Sequence, residues 1–489
     1  MSFLLASIAF IVGTAGLFYL DRDKSLPTSK ALWLPVIWLW IVGSRPASEW
    51  LGIWLGTGFG PSGQGVDAQL DGSPTDAFIF GVLLAAGIVV LIRRSVRTRA
   101  SLKASLPILI YFAYCLISIL WAPFPGVAFK RWSKAVGDLV MVLIVVTDAD
   151  PRGAFKRLFS RVGFILLPVS VLLIKYSYLG RGYDPDGNTM ITGVTTNKNS
   201  LGLITFVLAL GMLWRFLHVL RAKRQSGRYR HLLALGTVLV FGVALLAMAD
   251  SATSLACFAL GAMLIFATYL PMIRRRPGRI HAVVLMILLA GGLAMVFGGG
   301  GVVHALGRQT SFTGRTNIWK AVIPLCPNSF VGAGFEGFWI GPSHEKLSDI
   351  LSNWWGGAHS LNEAHNGYIE VYLNLGWVGV CLIAWILIGG YMRACAAFRH
   401  DPEIGGLMLA YVATAAIYSI TEAGFRMLAP IWIFLLLAVA AASGTAYGIA
   451  GGKAPRSIRK SAKWDGRPVA SGPLPLGLPD DEVPAGYNA

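Results

Sequence analysis

The chain has 489 residues, of which only 13% are Asp, Glu, Lys or Arg while 55% are apolar and 11% aromatic. Soluble domains carry about 25% charged residues. This composition, with a mean hydropathy of +0.62, therefore excludes a soluble globular enzyme, a disordered protein and a disulfide-stapled secreted domain. The charge is lopsided, 42 Lys and Arg against 24 Asp and Glu for a net +18, a balance that suggests nucleic acid or anionic lipid. In so apolar a chain, the bilayer comes first.

A transmembrane helix needs about 20 mostly apolar residues. In chain order, such runs fall near 3–20, 31–43, 76–92, 105–121, 135–147, 162–179, 201–220, 232–249, 253–272 and 282–298. Three more follow a long polar stretch, near 371–392, 405–420 and 427–447. The pattern predicts an all-α, polytopic integral membrane protein with about 12–13 transmembrane helices. The first run has no Lys or Arg before it and no small-residue cleavage site after it, so it is read as a retained helix. Cys115, Cys257, Cys326, Cys381 and Cys395 share no short spacing and are read as small hydrophobes, not as metal ligands or disulfide partners.

Lys and Arg crowd one alternating set of loops: 21–30, 92–104, 148–161, 221–231, 273–281 and the tail from 448. The other set holds few. Basic loops resist translocation, so the crowded set is expected inside and the sparse set outside. Arg274, Arg275, Arg276 and Arg279 are then topology signals, not nucleic-acid contacts. Four segments result: an N-terminal transmembrane bundle over 1–298, a large outer loop over 299–370, C-terminal transmembrane helices over 371–449, and an inner tail over 450–489. In that tail 453–467 is basic and suited to anionic headgroups. Residues 468–489, rich in Pro and Gly, are predicted to be disordered.

The loop 299–370 is the polar stretch large enough to build a small structure over the membrane. It opens on Gly298-Gly299-Gly300-Gly301 and contains Thr313-Gly314-Arg315-Thr316-Asn317-Ile318-Trp319-Lys320. Val331-Gly332-Ala333-Gly334-Phe335-Glu336-Gly337-Phe338 follows, and the loop ends in Ala364-His365-Asn366-Gly367-Tyr368-Ile369-Glu370. The middle block suits a tight loop with close backbone approach, but it carries no Walker lysine and follows no βαβ strand. Asn366 and Gly367 are good helix starters, which places His365 at the outer end of a membrane helix. The positive helix end disfavours imidazolium, so a neutral histidine able to act as general base is expected. An interfacial histidine that merely caps the helix is the other reading. His359, Glu363 and His365, with His344 nearby, are spaced H-x3-E-x-H. That departs from the H-E-x-x-H of a helical zinc site, so polar loop residues are favoured and no metal is expected.

Basic residues are scarce on the predicted outer side. Lys130, Arg131 and Lys134 cluster in one loop; Arg181 and Lys198 share another, the latter in Thr195-Thr196-Asn197-Lys198-Asn199-Ser200; Arg315 lies in the large loop. Arg grips phosphate oxygens with a planar fork and Lys supplies a point charge, so converging loops could clamp a pyrophosphate. Contact with lipid headgroups is the alternative, favoured for Lys134 and Arg181. Asp138 and Lys175 are costly within spans and are expected to face protein or water, or to lie near the ends and snorkel.

The exit of the large loop resembles the O-antigen ligase and Wzy-polymerase-like membrane glycosyltransferases. The family pattern reads here as His365-Asn366, nine residues from Gly367 to Leu375, Gly376, Trp377-Val378 and Gly379. Gly314-Arg315 through Trp319, Gly332-x-Gly334 through Phe338, and Asn197-Lys198-Asn199 also look like that family. The overall likeness is closest to the exopolysaccharide-polymerase branch. The pattern covers roughly residues 195–380. Family members are usually drawn with twelve spans and both ends inside, against the thirteen runs found here.

The resemblance implies a bacterial inner-membrane enzyme without cofactor or metal, working on the periplasmic side. It would polymerise polyprenyl-pyrophosphate-linked (undecaprenyl-type) repeat units into surface or exopolysaccharide. His365 would activate the acceptor hydroxyl, with Arg315 the second catalytic residue. Lys130, Arg131, Lys198, Asn199 and Asn366 are the substrate-binding candidates. Its partners would be the lipid-linked glycan donor, a glycan or lipid acceptor and membrane lipids, with a flippase and a chain-length regulator as protein partners and no nucleic acid. Ligation of a finished glycan to lipid A-core or protein is the alternative within the same chemistry. A small-anion transporter is the alternative of another class.

Overall fold

The computed structural model describes residues 3–23, 29–56, 72–183, 187–222, 227–297, 312–355 and 361–446. The Gly298–Gly301 exit, His359 and the tail over 450–489, on which expectations were placed, lie outside the described residues. The chain divides into two compact units, Met1–Ala450 and Gly451–Ala489, and every described element belongs to the first.

Among the described residues the first half holds ten α-helices: α1 (Phe3–Leu20), α2 (Trp33–Val42), α3 (Ala47–Leu55), α4 (Pro74–Arg93), α5 (Ser95–Ala104), α6 (Leu106–Ser118), α7 (Pro125–Val146), α8 (Pro151–Tyr176), α9 (Lys198–Arg221) and α10 (Arg228–Met248). The described residues of the second half hold eight: α11 (Ala252–Thr268), α12 (Pro271–Arg275), α13 (Arg279–Phe297), α14 (Phe312–Val322), α15 (Pro342–Trp355), α16 (Gly367–His400), α17 (Pro402–Thr421) and α18 (Pro430–Ala446). A two-stranded antiparallel ribbon, β1 (Arg181–Tyr183) with β2 (Thr189–Ile191), is the described departure from an all-α chain.

The apolar runs of the sequence all fall on helices. Among the described residues six of them, α4, α8, α9, α10, α16 and α17, are long and apolar enough to cross a membrane. A seventh span arises if α5 and α6, which meet at 87°, count as one. Most of the remaining runs lie on shorter apolar helices, and α7 carries Lys130, Arg131, Lys134 and Asp138 along its 22 residues. The protein is a polytopic α-helical membrane protein. Sequence reasoning did not foresee α3, α14, α15 or the ribbon. These are short or amphipathic segments in loops, where no long apolar run announces them.

Helices α9 and α17 are apolar on every face and buried nearly all round, as expected for helices enclosed by others. Around them α16, α17 and α18 pack on one another, α17 also on α11, and α18 on α7. A second small core lies in the large loop, where Ile318, Val322, Phe338, Trp339 and Leu347 enclose Ala364 and Leu373.

The long helix α16 is broken at Gly376, whose φ of 62° and ψ of −165° leave the helical region. A Cβ there would sit 2.2 Å from the carbonyl of Phe330, and one on Gly332 would sit 2.4 Å from the Asn374 and Leu375 backbone. Opened at this point, the helix trades its own ladder for bonds to the loop. The Trp377 amide donates to Ser329 at 2.9 Å, and the Ala333 amide donates to Leu373 at 2.9 Å. Two glycine-bearing motifs distant in sequence are thus one interlocked unit.

Candidate active site

Helix α14 places Arg315 and Trp319 four residues apart and so on one face. The Trp319 indole N–H donates to the Ala364 carbonyl at 2.8 Å. The Ala364 amide donates to Glu370 Oε1, and Glu370 Oε2 accepts from Trp339 Nε1 at 2.8 Å. Ala364, fully buried, is therefore gripped at both ends. The next residue, His365, takes φ 50°, a left-handed conformation that histidine tolerates better than most residues. Asn366 then caps α16, its Oδ1 accepting from the Tyr368 and Ile369 amides at 3.0 and 3.1 Å.

Glu363 stands two residues before His365, and the two side chains meet. His365 Nδ1 lies 2.9 Å from Glu363 Oε1 and 3.6 Å from Glu422 Oε2. Neither contact is a hydrogen bond, which makes these charge contacts. Nε2 has no partner among the described residues. Arg315 closes the group from the other side, Nη2 donating to Glu422 Oε1 at 3.0 Å and Nη1 to the Thr421 carbonyl at 2.5 Å. Arg426 donates to Glu363 Oε2 at 3.3 Å and sits 3.9 Å from Glu336 Oε2. Arg131 joins through Glu336, donating to its carbonyl at 2.7 Å.

The electrostatics correct the expectation of a neutral histidine. Burial pulls the His365 pKa down, but Glu363 and Glu422 outweigh it and push the pKa up to about 9. Burial would likewise raise Glu363, yet His365, Arg426 and Arg315 hold it below the usual range. A helix end contributes only partial charge, whereas two carboxylates within 4 Å contribute whole ones. The sequence placed the helix end correctly but had no means of knowing that Glu422 folds back onto it.

Asn366, a substrate-binding candidate, is held by bonds to the protein. Its oxygen caps the helix and its Nδ2 donates to the Ile420 carbonyl at 2.9 Å, so both ends of the amide are engaged in positioning. Lys198 lies 3.7 Å from Asp250 with both side chains exposed. Lys130 is exposed on α7, and Asn199, at the start of α9, is half-buried and stands apart from the bonds that join the His365 cluster. The neighbours of Lys198 do reach the site: Thr195, Thr196 and Ser200, at the start of α9, line a cavity of about 230 Å³ together with Ser44, Glu363 and Arg426.

Glu363, His365 and Glu422 also place three potential metal-ligand atoms within 4.8 Å of one another. Arg315 and Arg426 already supply these carboxylates with positive charge. His344, the other described member of the sequence cluster, donates instead to the Leu361 carbonyl at 3.1 Å.

Sequence reasoning did not single out Glu422 or Arg426. Their signal was the rarity of charge in the short apolar-flanked stretch Glu422-Ala423-Gly424-Phe425-Arg426. Asp138 fixes that stretch from inside: fully buried, it accepts from Trp38 Nε1 at 2.8 Å and from the Leu428 amide at 2.8 Å. Leu428 is held at φ 58°, a conformation costing an aliphatic residue about 1–3 kcal/mol. Asp138 thus faces protein.

A multi-pass helical membrane protein with a histidine-centred cluster at its loops is the class that fold and site define. Residues 237–384 match the family model described as "Wzy_C: O-Antigen ligase", the family resembled by the His365 motif. The chain is also similar to "Exopolysaccharide production protein ExoQ" of Rhizobium meliloti (strain 1021), with 21% identity over 300 residues, 59% of this chain and 66% of the relative. The family match includes Arg315, Trp319, His365 and Gly376. It ends before Glu422 and Arg426, which complete the cluster from the next helical connection.

Proposed function

We propose that this protein transfers a polyprenyl-pyrophosphate-linked oligosaccharide to a glycan hydroxyl at the outer face of the bacterial cytoplasmic membrane, polymerising repeat units into a surface or exopolysaccharide. The carrying observation is His365, with Nδ1 between two carboxylates and Nε2 unpartnered among the described residues, beside a polar cavity that Arg426 lines.

In this reading the charges of Glu363 and Glu422 favour the proton on Nδ1 and raise the basicity of Nε2. Nε2 takes the proton of the acceptor hydroxyl as its oxygen forms a bond to the anomeric carbon. The bond from that carbon to the pyrophosphate oxygen breaks on the opposite face, with the electron pair leaving on the pyrophosphate and inversion of the centre. The pyrophosphate is a good leaving group, so a base with an electrostatic clamp suffices. Arg426 and Arg315 supply the clamp, aided by the positive end of α9 and the hydroxyls of Thr195, Thr196 and Ser200. Arg131 supports Arg426 through Glu336. Lys130, Lys198 and Asn199 serve the approach of the anionic donor along the surface.

Ligation of a finished glycan is the second reading, favoured by the description of the matched family. The relative's name favours polymer production. An anion transporter would gather its charged groups in broken helices near mid-membrane, whereas here they gather at 363–366 and 422–426.

The test is reconstitution of the full chain in proteoliposomes with lipid-linked single repeats and no other protein. Polymerisation predicts a ladder of lengthening glycans with release of polyprenyl pyrophosphate. Absence of both would overturn the reading, and transfer only to added lipid A-core would establish ligation.

A further inference from the structure

A cavity of about 690 Å³ is lined by Val331, Gly332, Ala333 and Gly337 of the glycine block. Sites that enclose small molecules span about 300–1,000 Å³. Trp121, Pro123, Phe338, Asn328, Ser343 and Lys346 are among its walls. It shares no lining residue with the 230 Å³ cavity beside Arg426.

Its wall chemistry is two-sided. Gly337 lets the floor run against the Pro123 ring, since a Cβ there would sit 2.9 Å from Pro123 Cδ. The Trp121 indole N–H is fixed to the Val331 carbonyl at 3.3 Å, which sets the ring plane. At the rim, Asn328 spends its oxygen on the Phe330 and Val331 amides at 2.8 and 3.3 Å, and its amide nitrogen has no partner among the described residues. Ser343 donates to Leu325 at 3.0 Å and keeps its oxygen as an acceptor. Lys346 is exposed and has no ion pair among the described residues. Flat apolar rings with hydrogen-bonding groups at the edge match sugar rings, whose C–H faces stack and whose hydroxyls point outward. An acyl chain would leave Asn328 and Lys346 unanswered.

We propose that this cavity is the subsite for the acceptor glycan, an oligosaccharide whose rings lie between Trp121 and the glycine floor. The inference rests on the transfer reading above. The donor's pyrophosphate has its own cavity beside Arg426, and the 331–341 segment lines the acceptor cavity. From the same segment Glu336 approaches Arg426 at 3.9 Å, and Arg426 bonds Glu363 beside His365.

Cys326 lines this cavity and is half-buried, which provides the probe. In the full chain carrying Cys381→Ser, the rate of Cys326 modification by a membrane-impermeant maleimide is followed. Oligosaccharides from partial acid hydrolysis of the producing cell's own surface polysaccharide serve as competitor. They are expected to slow labelling about tenfold, in His365→Ala protein as well, and Trp121→Ala or Lys346→Ala should raise the concentration needed about tenfold, near 1.4 kcal/mol. In cells these two variants should shorten the polymer, whereas His365→Ala stops it. If the fragments leave labelling unchanged while His365→Ala still stops growth, the subsite is wrong and the transfer reading stands. Protection by phospholipid alone, equal to that by the glycans, overturns the subsite in favour of an acyl chain. Normal polymer from His365→Ala overturns the transfer reading itself, whatever the labelling shows.

Discussion

The indole N–H of Trp319 donates to the carbonyl of Ala364 at 2.8 Å, and this bond ties the arginine-bearing helix α14 to the residue preceding His365. With the Glu370 carboxylate on the amide of the same residue, it fixes where the imidazole stands. Trp319→Phe leaves the buried Ala364 carbonyl without its donor, a loss of about 1–3 kcal/mol. The transfer rate is expected to fall about tenfold or more at unchanged protein abundance, with the fall in kcat and not in KM. Full activity would remove Trp319 from the positioning role.

The raised pKa of His365 gives the pH dependence a definite sign. A base works when deprotonated, so kcat/KM should rise with pH and level off above about 9. Glu363→Gln or Glu422→Gln removes a negative charge that favours imidazolium, so the rising limb should move to lower pH. A profile flat from pH 6 to 10, or a shift the other way, contradicts the carboxylate-supported base.

The break in α16 makes a stability prediction. Gly376→Ala places a methyl 2.2 Å from the Phe330 backbone at a φ of 62°, so a loss of about 2–4 kcal/mol is expected. Thermal unfolding in detergent should show a lower Tm, and an unchanged Tm would mean the loop does not seat in the opened helix.

Asp138 receives two donors, Trp38 Nε1 and the Leu428 amide. Asn at this position can accept from one of them but presents a donor to the other, and Ala can accept from neither. Each orphaned donor costs about 1–3 kcal/mol, so stability should fall in the order wild type, Asp138→Asn, Asp138→Ala. Activity should fall with it, because Leu428 carries the stretch that holds Glu422 and Arg426. Equal stability of all three would contradict this role.

Arg315 and Arg426 stand 3.0 and 3.3 Å from the carboxylates a cation would need. Chelation with EDTA should therefore leave the initial transfer rate within about twofold. Loss of activity that added divalent cation restores would instead assign Glu363, His365 and Glu422 as ligands.

Much of the fold was legible because apolar runs are long and periodic, and every run read from the sequence lies on a helix. The loop helices α14 and α15 and the ribbon were not, since short amphipathic segments leave no such signature. At the site, the motif located His365, Arg315 and the helix start at Asn366. Its electrostatics escaped, because Glu422 comes 57 positions after His365 in the chain and only the packing of α17 beside α16 brings them within 3.6 Å. Lys198 was legible as a rare outer charge, but the structure sets it against Asp250, and its neighbours Thr195, Thr196 and Ser200 line the cavity instead.

In the proposed reaction His365 carries the proton of the acceptor hydroxyl. The most direct test of this role is the initial rate of transfer by His365→Ala, with lipid-linked single repeats supplied at matched protein abundance in the membrane. A fall of about a hundredfold or more is expected, with unextended single repeats accumulating on their lipid. Chain growth at the wild-type rate would contradict it.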